Sequence, residues 1–260
     1  MSGPDSKARF SETADDYHRY RPSYPEALVD WVVGLAAIEP PAPVVDLGCG
    51  TGISARLFAG RGYAVTGVDP NEDMLAHARA LGGATYLRGE ASATGLPDAS
   101  AALVISAQAF HWFDVDPALA EIRRILIPGG WGAAFWNLRA KTPFLDAYER
   151  LLHTHSSEYD VAMKGPATIA EIRLAEAARS GVVEAEFSNH QSFDRAGFRG
   201  RVYSSSYVVH GIADKPAFDR ELDRLYDQYE AQGRVRFDYR TVVIAWRPRA
   251  RGEAPGPLLH

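Results

Sequence analysis

Over residues 25–137 short apolar runs alternate with amphipathic stretches. From Pro25 to about Ala37, Leu28, Val29, Trp31, Val32 and Leu35 recur at helical spacing and predict an amphipathic helix. Val44, Val45 and Leu47 read as a short buried strand, AVTGVD (64–69) as a second and ATYLRG (84–89) as a third. AALVISAQ is a nearly continuous apolar run of the kind a central parallel strand shows. Between these runs ISARLFAGRG, PNEDMLAHARALG opened by Pro70, and DPALAEIRRILIPGG ending in a Pro-Gly-Gly turn predict helices; WGAAFWN follows as strand five. Strands alternating with helices imply a parallel, doubly wound α/β sheet.

The rhythm changes after Asn137. A long helical stretch, PFLDAYERLLHTHSSEYDVA, and a second helix, ATIAEIRLAEAARSG, come before a strand, VVEAEFSN. A helical or irregular segment around DRAGFRGRVYSSSY, a helix from Pro216 to about Gln232 and a last strand, TVVIAWRP, complete the pattern, and RPRARGEAPGPLLH reads as a disordered tail.

The chemistry concentrates where the first strand ends. PVVDLGCGTG closes an apolar run on Asp46 and opens through Gly48, Gly50 and Gly52 into a helix, a turn whose backbone can approach a ligand closely at the carboxyl end of a strand. The pyrophosphate fingerprint G-x-G-x-x-G fails from Gly48, because Ile53 takes the last glycine position, and from Gly50 it survives only in relaxed form with Ala55. Asp46 ahead of the glycines repels a pyrophosphate and favours a cation, such as the ammonium and sulfonium of S-adenosylmethionine. Asp69, at the end of strand two, can accept both hydroxyls of a ribose, which suits NAD equally well.

VVDLGCGTG followed by VTGVDPNEDML resembles the first two motifs of the class I S-adenosylmethionine-dependent methyltransferases. Residues 44 to 137 are similar to the small-molecule (methyltransferase type 11) branch of that family, and FSETADDYHRYRPSYP and AQAFHWFD to its trans-aconitate methyltransferase-like members. The resemblance implies a Rossmann-like, doubly wound seven-stranded sheet with an antiparallel last strand, an N-terminal lid over residues 1–24 and helical cap insertions. The cofactor-binding core would span 25–137, the rest of the sheet with the substrate cap 138–247, and a flexible tail 248–260; residues 138–165 and 190–233 would cover the active site.

S-adenosyl-L-methionine is then the expected cofactor and S-adenosyl-L-homocysteine the product. The expected cofactor set is Tyr17 and Arg21 from the lid, Asp46, Gly48, Cys49 and Gly50 from the turn, Asp69, Pro70 and Met74 from the second motif, Glu90 and Ala91 after strand three, and Ala107 and Phe110 at strand four. Glu90 stands where the family more often has Asp. Met74 can pack in the core, against adenine, or both. The acceptor is expected at Tyr24, Gln108, His111, Trp112 and Trp136, with Arg201 and Tyr203 from the cap.

His111 is the candidate general base, its pKa class lying near neutrality, or else it walls the cofactor site beside Phe110 and Trp112. Arg195, Arg199 and Arg201 suit a carboxylate or form a solvated basic cluster. A carboxylate nucleophile needs no base, whereas a hydroxyl or carbon acceptor benefits from one. A small-molecule O-methyltransferase is therefore expected, with C- or N-methylation as the alternative; an NAD-dependent oxidoreductase and a cofactor-binding module without catalysis remain distinct readings.

Composition narrows the partners. The 260 residues carry a formal charge of −5 and a pI near 5.9, which opposes broad nucleic-acid binding. No apolar run is long enough to cross a bilayer, and MSGPDSKARF lacks the apolar core of a secretion signal, so a cytoplasmic monomer or homodimer is expected. Cys49 is the single cysteine and reads as a small residue packed in the turn. His153 and His155 fall in a helix without a nearby set of acids and cysteines, so no metal is expected there.

Overall fold

The computed structural model describes residues 20–162 and 182–248. The chain divides into two compact units, and three of the boundaries between them fall inside strands.

The first, the sheet unit, holds the described residues 23–136, 182–187 and 241–248. It opens with α1 (Glu26–Ala36), β1 (Pro43–Leu47), α2 (Ile53–Ala59), β2 (Ala64–Asp69), α3 (Glu72–Leu81) and β3 (Thr85–Arg88). β4 (Ala101–Ala107), a short 3₁₀ turn at Phe110–Trp112, α4 (Val115–Ile125) and β5 (Leu126–Arg139) follow. The apolar stripe of α1 buries Leu28, Val29 and Val32 in a core with Phe58, Leu75, Leu103, Ile105 and Phe135, each fully buried side chain contributing roughly 1.5–3 kcal/mol.

Strand order across the seven-stranded sheet is β3-β2-β1-β4-β5-β7-β6, with β6 at Val182–Phe193 and β7 at Val235–Trp246; β1 to β5 run parallel and the last strand is antiparallel. β4 is buried along almost its whole length, as its unbroken apolar run requires of a strand covered on both faces. β1 and β4 pair Asp46 with Ile105, and β2 lies on the other side of β1 with Leu47 against Val68. The carboxyl ends of β1, β2 and β4 thus lie side by side.

Three boundaries differ from the pattern. α4 stops at Ile125 and β5 begins at once, with a register shift opposite Ala101–Leu103, because Pro128 has no N–H to give a helix and drives the residue before it to extended backbone. α3 starts at Glu72, not at Pro70, because Asn71 caps it by accepting from the N–H groups of Asp73 (3.0 Å) and Met74 (3.2 Å). β7 begins six residues before Thr241, at Val235, where alternating VRFDY continues the strand.

The second, the aromatic unit, holds the described residues 20–22, 137–162 and 188–240. It contains α5 (Pro143–His155), α6 (Tyr159–Ala162), α7 (Arg195–Tyr203), α8 (Ser206–Val209) and α9 (Lys215–Tyr229). The predicted single helix over 143–162 is thus two helices, and the expected helix from Pro216 to Gln232 ends at Tyr229, where Gln232 (φ 54) and Gly233 (φ 73) turn the chain. Its core is rich in rings: Phe144, Tyr148, Phe198 and Phe237 meet edge-on or tilted at centroid separations of 5.2–6.2 Å. The helix expected at ATIAEIRLAEAARSG and the tail from residue 249 lie outside the described residues.

Candidate active site

The turn after β1 uses left-handed backbone at Gly48 (φ 69), Gly50 (φ 53) and Gly52 (φ 79). Two of the three are also sterically required. A Cβ on Gly48 would stand 2.5 Å from the Ala109 Cβ, and one on Gly52 would run into the Tyr86 hydroxyl. Gly50 differs: a Cβ there would meet nothing within 4 Å, so its surroundings are open.

Asp69 holds this turn. Its Oδ2 accepts from the Gly50 N–H at 2.9 Å and its Oδ1 from the Asn71 N–H at 2.8 Å, so one carboxylate ties the end of β2 to the turn after β1 and to the start of α3. It is 9% exposed, and burial raises its pKa while the two backbone N–H bonds oppose the rise.

Asp46 is wholly buried at the end of β1. Its Oδ2 accepts from the Ser54 hydroxyl at 2.6 Å, in the first turn of α2. Burial, the Ser54 bond working against it, and the charge of Asp69 leave its pKa at about 7. Its other oxygen, Oδ1, is buried with no hydrogen-bond partner, as is the Thr51 hydroxyl in the turn. A buried carboxylate with one oxygen unspent has capacity for a donor or a cation.

Cys49 is buried, and burial followed by the charges of Asp46 and Asp69 raises its thiol pKa well above the ordinary value. Gly67 leaves it room, since a Cβ there would fall 2.8 Å from Sγ. The packed reading of this cysteine fits. Pro70 is half-buried and Met74 is buried at the start of α3.

Glu90 is exposed, in a tight backbone bridge with Ala93, and Ala91 is half-buried. The loop that carries them is braced from α4, which the sequence reading missed. Glu121 accepts from the Thr94 N–H (2.8 Å) and hydroxyl (2.5 Å) and from Arg124, which also reaches Asp98 and the Leu96 carbonyl. Arg124 first, against the cost of burial, and then the Thr94 bonds hold the Glu121 carboxyl down at about 2.

At the end of β4, Ala107 is half-buried and Gln108 takes a left-handed φ of 56°, its N–H donating to the Phe135 carbonyl at 2.9 Å. Left-handed backbone is uncommon in a residue other than glycine and costs roughly 1–2 kcal/mol. Trp112 is 43% exposed, with its ring 4.9 Å from that of His111.

The indole N–H of Trp136 donates to His111 Nδ1 at 3.3 Å. An indole nitrogen only donates, so Nδ1 is the accepting nitrogen and the proton of neutral His111 belongs on Nε2. The same bond corrects the expectation for Trp136. At 1% exposure its side chain orients His111 and is not presented to an acceptor.

Two other expectations shift for reasons of burial. Phe110 is fully buried, its ring 6.0 Å from Trp246 and 5.2 Å from Phe113, so its side chain serves the core. Tyr24, expected in a lid, packs edge-on to Phe135 at 4.7 Å within the sheet unit. Tyr17 lies outside the described residues.

Arg21, Arg201 and Tyr203 belong to the aromatic unit. Arg21 donates to the Ser204 carbonyl at 3.2 Å, and the Tyr203 hydroxyl donates to Asp219 at 2.7 Å. Arg195 and Arg199 form ion pairs with Asp219, Asp223 and Asp227 of α9. Arg201 is buried and donates to the hydroxyls of Tyr239 and Ser205.

Residues 45–134 match the family model described as a methyltransferase domain. The chain carries a methyltransferase domain. The chain is 40% identical over 136 residues to an uncharacterized methyltransferase of Mycobacterium tuberculosis, covering 52% of this chain and 54% of the other. A malonyl-[acyl-carrier protein] O-methyltransferase of Serratia marcescens is 37% identical over 101 residues, 38% of this chain and 40% of that one. The match thus spans about half the length of the curated relatives with the longest alignments. A solved structure from Anaeromyxobacter dehalogenans, assigned as a type II methyltransferase, superposes over 88% of this chain and 98% of its own with TM-score 0.67 and 26% identity. The seven-stranded sheet with its antiparallel last strand is the fold of that methyltransferase.

Proposed function

We propose that the protein is an S-adenosylmethionine-dependent methyltransferase acting on an oxygen of a small molecule, a carboxylate ahead of a hydroxyl. The observation that carries the cofactor reading is the turn itself: Asp69 fixes Gly50 against open space while the buried Asp46 keeps one oxygen unspent. These residues fit a ligand with hydroxyls and a positive charge and no phosphate. Asp69 would hold the ribose, Asp46 would face the cationic end, and Glu90 and Met74 would border the adenine. When bound, the cofactor supplies a methyl group on a sulfonium, open to in-line displacement.

The rest falls to the chain's own side chains, which position the nucleophile and exclude water; orientation of this kind is worth effective molarities of ~10⁵ M or more. His111, with Nδ1 taken by Trp136, presents an N–H and no lone pair. It can donate to an acceptor oxygen but is not set to remove a proton, which favours a nucleophile that is already ionised. The O-methyltransferase named among the relatives agrees with oxygen as the acceptor atom.

The test is calorimetric titration with S-adenosylhomocysteine beside NAD and NADP, on the wild type and on Gly50→Ala. Binding of S-adenosylhomocysteine alone, lost in Gly50→Ala, is expected. Binding of a dinucleotide instead would overturn the reading from Asp46 onward.

A further inference from the structure

The loop that leads from β3 to β4 has almost nothing apolar to hold it. Between Leu87 and Ser100 the one buried residue is Thr94, at 3% exposure. Few buried contacts make a segment mobile unless directional bonds fix it. Here those bonds converge on one carboxylate. Glu121 Oε1 accepts from the Thr94 N–H, the Thr94 hydroxyl and Arg124 Nη2 at 2.5–2.8 Å, and the Thr94 hydroxyl in turn accepts from the Leu96 N–H at 3.2 Å. Arg124 also donates to the Leu96 carbonyl at 2.8 Å, so two side chains of α4 grip residues 94–96.

Thr94 makes a second contact through its backbone. A Cβ on Gly89 would stand 2.9 Å from the Thr94 carbonyl oxygen, so the two main chains touch directly before Glu90. Glu90 and Ala93 exchange both backbone hydrogen bonds, at 3.3 and 3.0 Å, and the Gly89 N–H donates to the Asp69 carbonyl at 3.2 Å. The turn is thus closed on Thr94 and lies against the end of β2, at the residue whose carboxylate holds Gly50. Residues 89–93 are half-buried or exposed, so the turn takes its place from Thr94 and not from a core of its own.

We propose that Thr94 is a positioning residue for the base of the cofactor: gripped by Glu121 and Arg124, it fixes the Glu90 turn and so sets how strongly the site prefers an amino purine to an oxo purine. The inference rests on the function proposed above, in which Glu90 borders the adenine. A carboxylate accepts from the exocyclic amino group of adenine and repels the carbonyl that hypoxanthine carries in its place. Such discrimination needs the acceptor held within the narrow geometry of a hydrogen bond, and contacts common to both bases do not supply it. A turn free to drift keeps the common contacts and loses the difference.

The experiment is calorimetric titration of the full chain with S-adenosylhomocysteine and with its inosine analogue, in which an oxo group replaces the adenine amino group. The wild type is expected to prefer the adenosine form by about tenfold or more. Thr94→Val, close in shape but without the hydroxyl, is expected to lose about tenfold in affinity for the adenosine form and little for the inosine form, bringing the preference to within about threefold, while Thr94→Ser restores it. Glu121→Gln, which weakens the same grip without opening a space, should narrow the preference in the same direction. A merely structural role lowers the urea midpoint of these variants and leaves the ratio of the two affinities alone, because both ligands are read on the same folded protein. A wild-type ratio in Thr94→Val and Glu121→Gln would therefore overturn the positioning role, as would a Thr94→Ser protein that behaves like Thr94→Val. Glu90→Gln separates this outcome from the reading beneath it. A ratio lost in Glu90→Gln but kept in Thr94→Val removes Thr94 alone; a ratio unchanged in Glu90→Gln overturns the place of Glu90 at the base, and failure of both ligands to bind the wild type overturns the cofactor site itself.

Discussion

Replacing Asp46 by Asn isolates the electrostatic cost built into the turn. The wild-type carboxyl rises from an ordinary 3.8 to about 7, because it is wholly buried and faces the charge of Asp69, with bonds from the Ser54 hydroxyl and the Ala55 backbone working against the rise. A group whose pKa is higher folded than unfolded gives its full stability below the unfolded value and loses it as pH rises through the folded one. The full loss is about three pKa units, or roughly 4 kcal/mol, of which about 2–3 kcal/mol falls between pH 5 and pH 8. Urea unfolding of wild type and Asp46→Asn at those two pH values measures it, the variant subtracting the titration of every other group. Wild-type stability should fall relative to the variant by that amount. The Asn keeps a carbonyl for Ser54, so the variant should fold. If the two proteins keep a constant stability difference, Asp46 is ionised throughout and the reasoning fails. The same titration bears on the cofactor. A ligand bearing an ammonium should bind more tightly as Asp46 ionises, so S-adenosylhomocysteine affinity should rise with pH in the wild type and rise less in Asp46→Asn.

Asp69→Asn should weaken S-adenosylhomocysteine binding by roughly 1.5–3 kcal/mol, tenfold or more by calorimetry, since an amide can no longer accept from the Gly50 and Asn71 N–H groups on both atoms. Gly48→Ala and Gly50→Ala should separate fold from ligand. The former should cost clearly more stability than the ~1–2 kcal/mol of left-handed backbone, because its Cβ meets Ala109, and the latter no more than that while abolishing cofactor binding; both are read by urea unfolding and calorimetry. Glu121→Gln should lose ~1–2 kcal/mol at neutral pH, a figure reduced for the exposure of Arg124; because the wild-type carboxyl is held at about 2, the loss shrinks as acid passes from the ordinary 4.5 down through that value. His111→Ala should leave methylation of a carboxylic acid within a few-fold of wild type, and a large fall in kcat would return His111 to the role of base.

What could be read from the sequence was what a parallel sheet makes local. A strand that ends on an acid delivers that acid to the carboxyl edge, so Asp46 and Asp69, and Gln108 to Trp112, were placed by their position after an apolar run. Partners distant along the chain were not legible. Nothing near Thr94 announces that Glu121 braces it, and the Asn71 cap went unread although the Asn-Glu-Asp stretch before an apolar helix is the signal for one. Burial also cuts across residue type. Trp136, Phe110 and Tyr24 carry the ring chemistry of a binding wall, yet only packing decides whether a ring faces a ligand or the core, and here all three are inside.

The Trp136–His111 bond shows why such details decide chemistry and not merely contacts. A histidine at the end of β4 is equally suited by composition to be a base, a donor or a wall, and the choice depends on which nitrogen keeps its lone pair. Trp136 makes that choice from within β5, one strand over, by spending the lone pair on an indole proton. A base role would require that bond to break and the ring to turn, whereas a donor role uses the ring as it stands. Trp136→Phe therefore separates the two. Losing the indole donor should release Nδ1, which long-range nitrogen–proton correlation spectra of the imidazole would show as a mixed tautomer population. An acceptor that needs a base should then react faster, while a carboxylate, which needs only to be held, should slow by no more than the few-fold expected of His111→Ala.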